Sequence, residues 1–319
     1  MPPTAARRLG VIGLGRMGSA ICERLVARGF DVTGHDLRPE LRRSAVAAGA
    51  GWADSVSELA ARSEVVLTVL PGDEEVEAVR ETLLAALAPG GAWVEMSSAT
   101  PEAARRIAAT AGRIAAATER GPGRASASAP GSAGRARLRV LDAPLGGGPA
   151  DARAGRLLMF AGGAPEDLAR VSDVLDAIAE RVLHVGPHGS GYLTKLLVNL
   201  LWFGQAVACA EALAIGARAG LDLRTLRSAL AQSAAGGRFL DEPAGALLDG
   251  ETLDTFPLTG CVRELGDIVE IARASEVPAP VAELVADVYA LALARYGDID
   301  GELLAARLVL ERAGIEPPR

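Results

Sequence analysis

A short apolar run at residues 9–12 leads directly into Gly13-Leu14-Gly15-Arg16-Met17-Gly18, and an amphipathic stretch at residues 16–28 follows. Strand, glycine turn and helix in that order constrain the fold more than any other feature of the chain. The tight turn needs the conformational freedom that Gly13 has. Gly15, lacking a Cβ, lets backbone approach a phosphate closely, and Gly18 lets helix and strand pack together. The helix opening here aims unpaired N–H groups and the positive end of its dipole at the turn, which suits an anion.

The next strand, residues 31–35, runs into Asp36. A carboxylate at that place accepts from the ribose hydroxyls of a dinucleotide and repels a 2′-phosphate, so NAD is expected in preference to NADP. The competing role for Asp36 is a solvated loop residue, and the nearby Arg38 weakens the preference. Leu70-Pro71 end the third strand and Ser97-Ser98 follow the fourth. In a parallel sheet both pairs fall at the carboxyl edge, where a ligand crevice belongs. Either pair alone is ordinary loop chemistry; together they fit a cofactor groove. The expected cofactor residues are thus Gly13, Leu14, Gly15, Arg16, Met17, Gly18, Asp36, Leu70, Pro71, Ser97 and Ser98.

Strands are expected at 9–12, 31–35, 65–70, 92–95, 138–141, 157–161 and 182–185, with helical patterns at 16–28, 73–87 and 101–118 among them. After about residue 189 the strand patterns stop. One long helical pattern covers 190–219, and others follow at 223–232, 256–275, 279–295 and 301–313. The expected fold is an α/β Rossmann-type doubly wound sheet followed by an all-α C-terminal domain. The domains are placed at 1–188 and 189–319. Within the first, a flexible insertion is expected at about 113–137, centred on the Gly/Ala/Ser/Pro tract at 121–134.

Half the residues are apolar, 23% are charged and the net charge is −7. These values fit a soluble globular protein, and nothing in them supports a nucleic-acid partner. Cys22, Cys209 and Cys261 are too few and too scattered for a disulfide framework, and read as reduced thiols of a cytoplasmic protein. His35, His184 and His188 show no paired ligand spacing, so no metal is expected. The apolar run after Arg7-Arg8 is too short for an export signal. Residues 196–215 are apolar enough for a membrane span, but Asn199, Gln205 and Glu211 interrupt them, which favours a helix buried between domains or subunits.

Of 33 Lys and Arg residues only one is Lys, Lys195, and the chain also has a single Asn, Asn199. The two are i, i+4 on the long helix and project from one face. The intervening Leu196, Leu197 and Val198 place them against an apolar surface, where Lys and Asn are costly without partners. Arg cannot release a proton near neutral pH, whereas a partly buried Lys can. Lys195 is therefore a candidate general acid toward a carbonyl oxygen, or a general base in the reverse direction. Asn199 would hold the same oxygen or orient Lys195. The alternative is a snorkelling Lys and a satisfied core Asn.

In these segments the sequence resembles the β-hydroxyacid dehydrogenases, the family of 3-hydroxyisobutyrate dehydrogenase and tartronate semialdehyde reductase. The likeness runs from residue 9 to about 300. Besides the first glycine turn it rests on Asp142-Ala143-Pro144-Leu145-Gly146-Gly147-Gly148, with Ala152 and Gly155. It rests also on Gly186-Pro187-His188-Gly189-Ser190-Gly191-Tyr192-Leu193-Thr194-Lys195 ending at Asn199, and on Arg263-Glu264-Leu265 with Gly297 and Asp300. The resemblance implies that Lys195 is catalytic and Asn199 contacts substrate. It further implies that the Gly146, Gly147 and Gly148 backbone binds a substrate carboxylate, and that Ser98 and Arg263 lie near the nicotinamide end. The helical domain would build a homodimer or higher homo-oligomer.

Two positions depart from the family pattern. Gly146 stands where a Ser is common, removing one hydrogen bond to the carboxylate, and Arg263 replaces a Lys. Trp202 and Phe203 are bulky residues that narrow the pocket or pack the core. The resemblance implies hydride transfer between NAD or NADP and a small 3-hydroxy acid or semialdehyde. Two competing readings are an imine reductase-like enzyme, whose members usually lack Lys at this position, and a non-catalytic NAD-binding scaffold.

Overall fold

The computed structural model describes residues 6–119, 137–254 and 256–315, and the chain divides into two compact units, Met1–Lys195 and Leu196–Arg319. The tract at 121–134 lies outside the described residues.

The first unit is built on β1 (Arg8–Ile12), β2 (Asp31–His35), β3 (Gly51–Trp52), β4 (Val65–Thr68), β5 (Ala92–Glu95), β6 (Arg139–Asp142), β7 (Leu145–Gly146), β8 (Leu157–Gly162) and β9 (Ala179–Gly186). They form one sheet in the order β3-β2-β1-β4-β5-β6-β8-β7, with β9 paired to β8. From β3 to β6 every pairing is parallel. β8 runs antiparallel to β6 and β7 and parallel to β9. The 3-2-1-4-5-6 order is that of a doubly wound dinucleotide-binding sheet.

Among the described residues the α-helices of this unit ahead of Ser190 are α1 (Arg16–Ala27), α2 (Arg42–Ala47), α3 (Val56–Arg62), α4 (Asp73–Ala86), α5 (Pro101–Glu119), α6 (Pro149–Ala154) and α7 (Pro165–Ile178). Both faces of the sheet are covered. Val65, Leu67, Val94 and Leu141 join one apolar cluster with Ile21 and Leu25 of α1 and Leu175 of α7. The alternate residues Val66, Trp93 and Val140 join another with Leu59 of α3, Leu83 of α4 and Ile107 of α5. Strands buried on both faces read as continuous apolar runs, which is why these were visible in the sequence.

Several elements differ from expectation. β3 and β7 have only two residues each, too short to show a period. β9 begins at Ala179, three residues before the expected start, because the exposed Glu180 and Arg181 hide its first turns of pleat. β4 ends at Thr68 rather than at 70. α5 continues to Glu119, so the expected flexible insertion does not begin at 113. Pro101 at the first helical position and the Ala-rich run behind it favour that length.

α8 (Ser190–Arg218) begins in the first unit and continues into the second. It is long and apolar enough to cross a membrane by length and composition. α9 (Leu223–Ala231), α10 (Arg238–Asp241), α11 (Pro243–Leu248), α12 (Leu258–Ala274), α13 (Pro280–Tyr296) and α14 (Leu304–Arg312) follow. Leu196, Phe203 and Val207 of α8 pack with Leu258 and Leu265 of α12, Tyr289 of α13 and Leu308 of α14. Phe203 lies against Tyr289 with ring centroids 4.8 Å apart, and Trp202 Nε1 donates to Glu302 Oε2 at 2.9 Å. Both aromatics therefore serve the helical core.

Candidate active site

The glycine turn is held as the sequence chemistry requires. Gly13 has φ +87°, and a Cβ there would lie 2.3 Å from the Val69 carbonyl oxygen. A Cβ on Gly18 would lie 1.8 Å from the Gly13 carbonyl oxygen, whereas one on Gly15 would meet only the Arg38 guanidinium, at 3.8 Å. The turn is thus packed tightly beneath and open at Gly15, the side on which a pyrophosphate would approach the start of α1.

Asp36 follows β2 and braces this turn. Its Oδ2 accepts from Leu14 N at 2.7 Å, and its Oδ1 accepts from Arg38 N at 2.9 Å and Arg38 Nε at 3.0 Å. Burial alone would push the carboxyl up. The hydrogen bonds from Arg38 and from Leu14 N outweigh it and hold Asp36 below the usual carboxylate range. Asp36 is therefore ionised but already largely occupied. The guanidinium that occupies it is 55% exposed on its side chain, so the edge at which the sequence placed an anion-repelling carboxylate also carries a cation.

Further along the carboxyl edge, Ser97 Oγ accepts from Leu70 N at 2.8 Å, joining the loops after β4 and β5. Ser97 donates in turn to Oε1 of Glu95, which also accepts from Ser97 N at 3.0 Å and Thr68 Oγ1 at 3.2 Å. Glu95 is buried, and burial raises its carboxyl to about 8. Leu70, Pro71, Ser97 and Ser98 thus share an edge with Gly13–Gly18 and Asp36. Glu95, which sets the Ser97 hydroxyl, was not singled out from the sequence. A lone acid closing an apolar strand was the available signal.

Gly146 ends β7, and Gly147 and Gly148 follow it. Gly147 has φ +109°, a conformation that L side chains rarely adopt. Gly148 N already donates to Asp151 Oδ2 at 3.1 Å, at the start of α6. At Gly146 a Cβ would meet Leu158 O at 3.4 Å and Leu158 Cβ at 3.5 Å, ordinary contacts that leave room for a small side chain.

The signature before Lys195 is explained by close packing and one buried carboxylate. Gly186 and Gly189 have φ +142° and +93°, and a Cβ on Gly191 would lie 2.3 Å from the Phe160 carbonyl oxygen. Asp142, 2% exposed at the end of β6, accepts from Gly189 N at 2.9 Å, Gly191 N at 2.9 Å and Tyr192 N at 3.3 Å. A carboxylate thereby satisfies the orphan N–H groups that open α8. Burial raises Asp142 to about 6, opposed first by the Gly189 N–H and then by the neighbouring His188. Burial lowers His188, whose Nδ1 lies 4.0 Å from Asp142 Oδ1.

Lys195 stands half-buried in the second turn of α8, and Asn199 is buried one turn later. Leu196 is buried, while Leu197 and Val198 are 46% and 39% exposed. The apolar surface inferred around the pair is thus confined to one side of the helix. In the second unit, Asn199 Nδ2 donates to Oε2 of Glu264 on α12. Arg263, the neighbour of Glu264, is exposed. Glu264 was not singled out as a functional residue from the sequence. Its spacing with Cys261, Leu265 and Ile268 marked it as a charge on the core face of its helix.

Comparison with known proteins agrees with this arrangement. Residues 8–118 and 125–186 match the family described as the NAD binding domain of 6-phosphogluconate dehydrogenase. Residues 189–309 match that described as the NAD-binding of NADP-dependent 3-hydroxyisobutyrate dehydrogenase. The L-threonate dehydrogenase of Cupriavidus necator is 32% identical over 291 residues, covering 90% of this chain and 91% of that protein. The NAD-dependent L-serine dehydrogenase of Pseudomonas aeruginosa is 30% identical, covering 90% and 92%. Among solved structures, the 3-hydroxyisobutyrate dehydrogenase of Mycobacterium tuberculosis with L-serine superposes with a TM-score of 0.79 at 25% identity, over 95% of this chain and 99% of that one. A dinucleotide-binding sheet, a carboxylate-held glycine signature and matches along nearly the whole length place this chain in the β-hydroxyacid dehydrogenase family.

Proposed function

We propose that this enzyme interconverts a small 3-hydroxy acid and its semialdehyde with NAD or NADP, and that Lys195 moves the proton. One observation carries the reading: the only Lys of the chain sits one turn before its only Asn, on a helix whose first N–H groups a buried carboxylate holds in place.

The residues present fit the cofactor. Gly13, Gly15 and Gly18 with the start of α1 would hold the pyrophosphate, Asp36 and Arg38 the adenosine ribose, and the loops at Leu70-Pro71 and Ser97-Ser98 would line the remainder. When bound, the nicotinamide supplies or accepts the hydride. Lys195 Nζ gives a proton to the carbonyl oxygen in the reducing direction and takes one from the hydroxyl in the other, so that aldehyde, hydride and proton together make the alcohol. Asn199 positions the same oxygen. The backbone at Gly147, where a side chain would be strained, and the open room at Gly146 offer the substrate carboxylate a close approach.

A steady-state screen of C3–C6 hydroxy acids with both cofactors tests this reading. Cofactor reduction with a 3-hydroxy acid is the expected result. Binding of NADH without turnover on any acid would instead favour a scaffold, and turnover of cyclic imines alone would favour imine reduction.

Two variants refine it. Replacing Arg38 by Leu is expected to lower kcat/KM with NADP by at least about tenfold, the size of one charge-assisted hydrogen bond, and with NAD by less than about threefold. The ratio of the two specificity constants is the readout. Gly146→Ser is expected to fold normally and to lower the substrate KM by about tenfold, since the new hydroxyl adds a hydrogen bond to a charged group where the backbone has room. Unchanged KM would place the carboxylate elsewhere.

A homo-oligomer is part of the proposal. Leu201 and Ile215 of α8 and Val281 of α13 are 66%, 71% and 66% exposed on the single chain, and a second copy would cover them. A cytoplasmic setting is supported by the free thiols of Cys22, Cys209 and Cys261.

A further inference from the structure

Glu264 is 1% exposed. Cys261, Leu265 and Ile268 of its own helix join an apolar cluster with Leu196 and Phe203 of α8. One of its oxygens accepts from Asn199 Nδ2. The other, also buried, has no hydrogen-bond partner among the described residues. A carboxylate in such surroundings lowers stability relative to an apolar residue of similar size. Core packing alone therefore does not account for it.

Its one partner is a residue of the proposed site, and the chemistry of the pair is directional. The bond runs from the amide N–H to a carboxyl oxygen, so the atom Asn199 presents to Glu264 is Nδ2. With one Nδ2 hydrogen committed, the amide cannot exchange its two ends. Its carbonyl oxygen and remaining N–H then keep fixed places on the helix, one turn from Lys195.

We propose that Glu264 is a positioning residue for Asn199, fixing which end of the amide faces the substrate oxygen. The proposal rests on the reading of Lys195 and Asn199 given above. It predicts a specific order of variants. Glu264→Ala frees the amide. Glu264→Gln keeps the volume but lets the pair bond in either orientation, because a Gln amide both donates and accepts. Glu264→Asp keeps an acceptor on a shorter stem.

The test has two arms on the full-length protein. The first is independent of turnover: Asn199 is the only Asn of the chain, so labelling with 15N-asparagine yields a single side-chain NH2 group. In the wild type its two proton signals should be well separated and slow to exchange with solvent. In Glu264→Ala they should move together and exchange faster. The second arm is kinetic. kcat should fall about ten- to hundred-fold in Glu264→Ala, the scale of a misplaced reacting group, with a smaller fall in Glu264→Gln. Glu264→Asp should retain the most activity, and NADH affinity and melting temperature should stay close to wild type.

An NH2 signal that is the same in wild type, Glu264→Ala and Glu264→Gln would overturn the proposal. So would kcat within about twofold of wild type in both variants. A fall in melting temperature with unchanged kinetics would mark Glu264 as merely structural and also overturn it. If the wild type reduces neither cofactor with any hydroxy acid, the functional reading fails, and the NMR arm alone still decides whether Glu264 holds Asn199.

Discussion

Replacing Lys195 by Met is expected to lower kcat by about 10²–10⁴-fold, the usual contribution of a positioned acid or base, while NADH affinity changes by less than about threefold. Met keeps the unbranched apolar stem that a half-buried Lys lays against its helix, but has no proton to give. Lys195→Arg should fail nearly as badly, because a guanidinium keeps its charge but does not release its proton in the working pH range. Steady-state kinetics with a fluorescence titration of NADH separate the two quantities. The size of the effect follows from the composition of the chain: among 33 Lys and Arg residues this is the only side-chain amine.

Replacing Asp142 by Ala is expected to cost on the order of 3–5 kcal/mol of stability and most of the activity, because the N–H groups of Gly189, Gly191 and Tyr192 would be buried without an acceptor. The loss falls at a sensitive place. Tyr192 lies three residues before Lys195, so loosening the first turn of α8 shifts the Lys itself. Asp142→Asn should be milder, since its carbonyl oxygen can still take one or two of these bonds while its NH2 faces a donor. Urea unfolding measures the stability, and residual kcat at a temperature where each variant remains folded measures the displacement.

Much of this arrangement was legible in the sequence because its signals are local. Gly13, Gly15 and Gly18 each answer a steric demand within a few residues. The strands that build the centre of the sheet are apolar runs because helices cover both their faces. The Lys195–Asn199 spacing needs only the pitch of one helix.

What escaped was either too short or dependent on distant partners. β3 and β7 owe their two residues to neighbouring strands rather than to any pattern of their own. α3 did carry a local sign that went unused, Ser55 three residues before Glu58, and Ser55 Oγ indeed accepts from Glu58 N at 3.1 Å. The role of Asp36 depends on a neighbour's side-chain conformation. Only the position of the Arg38 guanidinium shows that the carboxylate is already engaged and that its edge of the site bears both charges. Glu95, Asp142 and Glu264 act through partners 2, 47 and 65 residues away. For the last two, single-sequence spacing has no access to the pairing.

The central claim is that the amine of Lys195 carries the proton in the oxidation and reduction of a hydroxy acid. It is tested most directly by the turnover of Lys195→Ala measured with and without a small primary amine such as methylamine. The predicted result is turnover reduced by at least about a hundredfold that recovers in proportion to added amine. Wild-type turnover by Lys195→Ala in the absence of amine would contradict it.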